Sequence, residues 1–97
     1  MQLEDARVAK PIGADKIRDA RYLDEAFGAE LTRVRVKGGW SQAQFSELVG
    51  YDETYIRQLE RGRKSPTLRT LADIAAAVSE DVSSLIKRAE RRMRQNR

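Results

Sequence analysis

The sequence predicts an all-α fold. Apolar residues recur at intervals of three and four along most of the chain, the spacing of one buried helical stripe. Gly and Pro stand at the breaks between these stretches, with Gly28 the exception. No stretch alternates apolar and polar positions with β-branched residues as a half-buried strand does. A chain of 97 residues suits one small domain with a modest core, for which oligomerisation is a natural support.

Residues 1–13 read as irregular, because Pro11 and Gly13 interrupt any helix. From Asp15 a stripe appears: Ile17, Ala20, Leu23, Phe27, Leu31 and Val34. Gly28 sits inside it at a cost of about 1 kcal/mol relative to Ala. Either one long helix runs to Lys37, or a shorter one ends near Gly28. The preferred reading is a distinct main helix from about Asp24 to Lys37, preceded by a shorter or looser segment. Gly38-Gly39 stops it, since Gly accepts the left-handed conformation after a helix end. Ser41 with Gln44 three residues on makes a capping box for a short helix Gln42–Val49. Gly50 ends that helix, and Asp52 caps the next, Glu53–Arg61, which ends at Gly62. After the basic loop Arg63-Lys64-Ser65, Ser65-Pro66 reads as a helix start. That helix carries Leu68, Leu71, Ile74, Ala75 and Val78. Asp81 caps a last helix with Val82, Leu85, Ile86, Ala89 and Met93.

Composition narrows the function classes. With no cysteine and no histidine, the chain lacks a disulfide framework, a thiolate metal site and the commonest general base. No phosphate loop or paired-carboxylate pocket is visible. The expectation is a non-enzyme with no cofactor and no metal. No apolar run reaches membrane-span length, and MQLEDARVAK lacks the layout of a secretory signal, so the expected location is cytoplasmic. The net charge of +4 is unevenly distributed: residues 87–97 hold six basic side chains against Glu90, while the rest of the chain is nearly balanced. A basic tail suits a polyanion, but cations also favour a helix C-terminus, and both readings stay open.

Two short helices joined through a glycine turn form a helix-turn-helix layout across Ser41–Gly62. Ala43, Phe45, Leu48 and Val49 on the first, with Ile56 and Leu59 on the second, supply apolar residues to lock their crossing. The outer face of the second helix is then Glu53, Thr54, Arg57, Gln58 and Arg61.

On these landmarks the chain from Phe27 to Ile86 resembles the Xre/Cro/phage-repressor (lambda-repressor-like) family of helix-turn-helix domains. The matching text is FGAELTRVRVKGGW, SQAQFSELVGYDETYIRQLERGRKSPTLRTLADIAAAV and SEDVSSLI. The resemblance implies a compact five-helix domain that acts as a homodimer on double-stranded DNA carrying a partly palindromic operator. Residues 24–86 are expected to form it, with 1–23 an N-terminal extension, partly irregular or a short helix, and 87–97 a basic C-terminal helix end or tail.

Carried over by position, Glu53, Thr54, Arg57 and Gln58 face base edges. Arg57 suits the O6 and N7 of guanine, Gln58 the N6 and N7 of adenine, Glu53 the N4 of cytosine, and the Thr54 methyl that of thymine. Gln42, Tyr55, Arg61, Arg63, Lys64 and Ser65 are expected to meet the phosphate backbone, which positions without reading. Tyr51 leans toward phosphate. Arg35 and Glu60 fall on positions that pair in this family, tying the first helix to the end of the recognition helix.

Three departures stand out. Ser46 replaces a small apolar residue and needs a partner, for which the carbonyl of Gln42 would serve. Ser79 stands where Gly usually ends the fourth helix. Glu53 brings negative charge to the DNA face, where base readout and a first-turn dipole role weigh equally. Trp40 is expected in the core rather than as a stacking platform.

Ile86, Ala89 and Met93 form a second stripe on the last helix, which predicts a dimer interface there, with residues 15–24 helping. The rival reading folds the N-terminal extension over that stripe. The function expected is a sequence-specific transcriptional regulator, a repressor or autoregulator. The alternatives are a restriction–modification controller protein, or an antitoxin-type protein that binds DNA and a second protein through residues 1–25.

Overall fold

The structure, a computed structural model, describes residues 13–95, with side chains from Arg21 onward. The described residues form five helices: α1 (Gly13–Lys37), α2 (Gln42–Val49), α3 (Glu53–Glu60), α4 (Leu68–Ala77) and α5 (Val82–Gln95). No strand occurs among them. The irregular start expected before Gly13 lies outside the described residues, as do residues 1–12 of the segment 1–25 to which a second protein partner was assigned.

α1 is one unbroken helix, so the preferred break near Asp24 is corrected, and the expected boundary between residues 23 and 24 falls within it. The reason lies at Gly28. A Cβ built there would stand 2.4 Å from the Leu59 carbonyl oxygen and 2.5 Å from that of Glu60. Gly28 is a place where α1 touches the backbone of α3, not a place where a helix stops.

α1 ends in a Schellman motif. Gly39 is left-handed, its N–H donates to the Val36 carbonyl, and the Trp40 N–H donates to that of Arg35. Ser79 repeats the arrangement after α4, with its N–H on Ala76 and the Glu80 N–H on Ala75. It is the one non-glycine with positive φ among the described residues, at +58°. The α4 start is corrected. Thr67, not Ser65, is the N-cap, accepting from the Thr70 N–H at 3.0 Å. Ser65 instead donates its hydroxyl to Asp24 on α1.

The core gathers Phe27, Leu31, Val34, Phe45, Ile56, Leu59, Ile74 and Leu85, all nearly or fully buried. Trp40 is half-buried and packs tilted on Phe45, with ring centroids 5.7 Å apart. Val78 and Val82 are half-buried against the core. Two expected core residues lie outside it: Leu48 is 42% exposed and Leu68 83%. α2 buries the side defined by Phe45, Ser46 and Val49, from which Leu48 is turned away. Leu68 opens α4, two residues later than expected, and projects before the packed part begins. Ser46 is buried, and its hydroxyl donates to the Ala43 carbonyl at 2.8 Å rather than to that of Gln42.

α1 packs most extensively on α5 and next on α3. The α1–α5 contact centres on Glu30, which is 2% exposed. Its carboxylate accepts from Arg33 (2.6 Å), Arg88 (2.6 Å) and Arg92 (3.3 Å), and Arg88 also reaches Glu80 at 2.6 Å. Burial pushes the Glu30 pKa up. Hydrogen bonds and charges from Arg33 and Arg88 outweigh that and hold it at about 2. Two cations of the basic tail are thus engaged within the fold.

The α5 stripe is corrected in part. Ala89 is fully buried in the chain's own core and is not offered to a partner. Ile86 and Met93 are half-buried, also packed against the core. Met93 lies beside Tyr22, Glu25, Ala26 and Ala29 of α1; of these Tyr22 alone belongs to the N-terminal extension 1–23, so it is mainly the domain's own first helix that borders this stripe.

Candidate nucleic-acid interface

The interface begins with two capped helices and a tight turn. At α2, Ser41 accepts from the Gln44 N–H at 3.0 Å while the Gln44 side chain accepts from the Ser41 N–H at 2.8 Å, the expected capping box. Gly50, at φ +83°, ends α2 in the left-handed region. Asp52 then caps α3 by accepting from the Thr54 N–H at 3.0 Å. Phe45 and Val49 of α2 with Ile56 and Leu59 of α3 form the inner contact. Ala43 and Leu48, expected to share in it, are exposed.

The back of α3 is fastened at its C-terminal end. Glu60 accepts two bonds from Arg35, at 2.6 and 3.1 Å, and a third from the Gln42 side-chain amide at 2.9 Å. Arg35 also donates to the Trp40 carbonyl at 3.0 Å. The Glu60 side chain is 5% exposed and that of Arg35 14%. One carboxylate therefore joins α1, α2 and α3. Arg35 and Glu60 stand as expected, while Gln42, expected on phosphate, points its amide into this cluster.

Just beyond, Gly62 is left-handed at φ +71°, and a Cβ there would come within 2.7 Å of the Glu25 Cα. With Gly28, this makes two glycines where α1 and the end of α3 meet backbone to backbone. The interlock fixes how α3 projects from the body.

The outer face of α3 carries Thr54, exposed, with Glu53, Arg57 and Gln58 partly exposed. Arg57 donates to Glu53 at 3.0 Å and to the Thr54 hydroxyl at 3.3 Å. An exposed pair one turn apart contributes only about 0.3–0.5 kcal/mol. Its effect is to hold the guanidinium over the first turn of α3. Glu53 thereby has a partner within its own helix, the structural side of its two readings. Arg61, Arg63 and Lys64 follow, all exposed, and the basic edge is continuous with the outer face.

Three expected contacts are drawn inward. The Ser65 hydroxyl is spent on Asp24. Tyr55 is half-buried, its ring tilted against that of Tyr51 with centroids 5.6 Å apart, and its hydroxyl is 3.4 Å from that of Thr70. Tyr51, leaning toward phosphate in the sequence, donates its hydroxyl to Asp73 at 2.7 Å, and that hydrogen bond raises its pKa. The sequence reading missed Asp24, Asp73 and Thr70 as anchors. None lies within 14 residues of its partner, so no local spacing marks them.

The helix-turn-helix family profile matches residues 31–83, over half of the chain. The chain belongs to the Xre/lambda-repressor-like helix-turn-helix family. Among its solved members, the clp gene regulator ClgR from Corynebacterium glutamicum superposes with a TM-score of 0.72 at 30% identity, covering 76% of this chain and 79% of that one. The restriction-modification controller protein C.AhdI from Aeromonas hydrophila gives 0.61 at 30% identity, covering 63% and 92%. The HTH-type transcriptional regulator y4dJ of Sinorhizobium fredii is 35% identical over 51 residues, which span 53% of this chain and 66% of that protein. The five-helix all-α fold expected from the sequence is the one observed.

Proposed function

We propose that this protein is a DNA-binding transcriptional regulator that reads a partly palindromic operator as a homodimer, with residues 24–86 as its DNA-binding domain. The observation that carries the reading is the division of α3 into two faces. Ile56, Leu59 and Glu60 are locked into the body, while Thr54, Arg57 and Gln58 project from it. A helix held rigidly from behind with polar forks in front suits the major groove.

In this reading Thr54, Arg57 and Gln58 meet base edges, and Glu53 orients Arg57 as well as facing the groove. Arg61, Arg63 and Lys64 meet phosphates. Gln42 acts mainly by steadying Glu60, and Tyr55 and Ser65 by steadying α3 and the loop after it. A restriction–modification controller role is the second reading, favoured by the extent to which the C.AhdI fold is covered.

A salt titration of binding to genomic duplex fragments tests the class. Affinity should fall steeply as salt rises, because each neutralised phosphate releases counterions. Salt-independent binding, or none, would count against duplex DNA as the ligand.

A further inference from the structure

With Ala89 inside the core, Tyr22 and Val36 put an open apolar line on α1, apart from the single exposed side chains Leu48 on α2 and Leu68 on α4. Tyr22 is 44% exposed and Val36 60%, and between them Ala29 is partly exposed. The three are spaced by seven residues, two helical turns, so they form one line along the helix. Glu25 and Arg33 flank Ala29 four residues to either side, both exposed.

We infer that this line is the contact between two copies of the chain, with the two α1 helices antiparallel and the two-fold axis passing at Ala29. The inference rests on the homodimer reading above and assigns its surface.

Self-complementarity is what a two-fold contact requires, and the sequence of this face has it. Centred on Ala29, Tyr22 of one copy meets Val36 of the other, and Glu25 meets Arg33. Each pairing occurs twice, apolar with apolar and acid with base. Ala29, the smallest of the set, sits where the helices cross, so that they can approach to about 8 Å. Arg33 gives its Nε and Nη2 to Glu30 of its own chain, and its Nη1 is the group offered to Glu25 of the second copy.

The direction of the face also fits its use. Gly28 and Arg35 mark the side of α1 that holds α3. Ala29 follows Gly28 by one residue, about 100° further round the helix. Two helices joined side by side and antiparallel are related by an axis perpendicular to both and to the line between them. Elements that project along that axis emerge on the same side of the pair. Both recognition helices therefore face one DNA duplex. A contact through the α5 side, nearly opposite Gly28 on α1, would turn them apart.

The chain has no cysteine, so single cysteines report the geometry. Full-length Ala29→Cys should form a covalent dimer on mild oxidation. Tyr22→Cys and Val36→Cys should each fail alone, being about 20 Å from their own copies, yet cross-link when mixed. Ala29→Glu, which sets like charges at the axis, should weaken dimerisation in sedimentation by about a hundredfold, with an unchanged helical spectrum. Cross-linking through Ile86→Cys but not Ala29→Cys would move the contact to α5 and overturn the inference while sparing the homodimer; Met93 borders Tyr22 and Ala29 and is left unchanged. A strictly monomeric wild type, free and on operator DNA, overturns both readings. A monomer whose position-29 thiol resists alkylation means that another part of the same chain covers this face.

Discussion

α1 is fastened on two sides by different chemistry. Toward α3, the proposed recognition helix, it is held by shape: Gly28 and Gly62 let backbones touch, and one shared carboxylate, Glu60, closes the junction. Toward α5 a buried charge cluster is added to the apolar packing of Leu85 and Ala89, with Glu30 at the centre of Arg33, Arg88 and Arg92. The difference matches the tasks. A recognition helix must be placed to a fraction of an ångström, and backbone contact has little freedom. The last helix needs only to stay attached, and long arginine side chains tolerate small shifts.

The largest effect should come from the shape side. Gly28→Val forces a Cβ into the Leu59 and Glu60 carbonyls, neither of which can swing aside. Thermal or urea unfolding should show a loss of about 3 kcal/mol. A near-neutral result would mean that α1 and α3 are not in backbone contact.

Next comes the charge side. Glu30→Gln leaves three arginines around a neutral group and should cost about 3 kcal/mol. The pH dependence has a definite sign. A carboxylate depressed from 4.5 to about 2 contributes fully above its unfolded value, and that contribution is lost as pH falls toward 2. Wild type should therefore lose more stability than Glu30→Gln between those values. Parallel curves would remove Glu30 from the account.

Glu60→Gln keeps the shape of the shared carboxylate and removes its charge. Stability should fall by about 2 kcal/mol. Operator affinity, measured well below the melting temperature, should fall as well, because Arg35 then pulls less on the end of α3. Loss of stability without loss of affinity would make the cluster a fastener only. The smallest effect is expected at Ser79→Gly, which relieves a left-handed serine and should raise stability by about 1 kcal/mol.

Legibility in the sequence followed the same divide. The capping box at Ser41, the Asp52 cap and the turn at Gly50 were readable because their chemistry is local. The Arg35–Glu60 pair came through the family resemblance. Gly28 was misread because its reason lies 31 residues away, in the carbonyls of α3. The Glu30 cluster was missed because its partners Arg88 and Arg92 are 58 and 62 residues distant. A signal existed: Glu30 stands three residues after Phe27 and four before Val34, inside the buried stripe, and a carboxylate there requires cations. The α5 stripe was over-read although a local signal existed: Ala89 stands four residues after Leu85 and shares its buried face. Within the interface, exposure follows helix phase and was legible for Thr54, Arg57 and Gln58. The inward partners of Gln42, Tyr55 and Ser65 depend on the tertiary fold and were not.

The central claim is that the outer face of α3 reads bases while the basic edge beside it only positions the protein. Selection of bound sequences from a random duplex pool, run in parallel with wild type, Arg57→Ala and Lys64→Ala, tests it directly. Wild type should return a two-fold symmetric site. Arg57→Ala should return that site with preference lost at one base pair per half, a penalty of about 1–3 kcal/mol. Lys64→Ala should return the unaltered site, bound more weakly on every sequence. Identical selected sites for wild type and Arg57→Ala would contradict the claim.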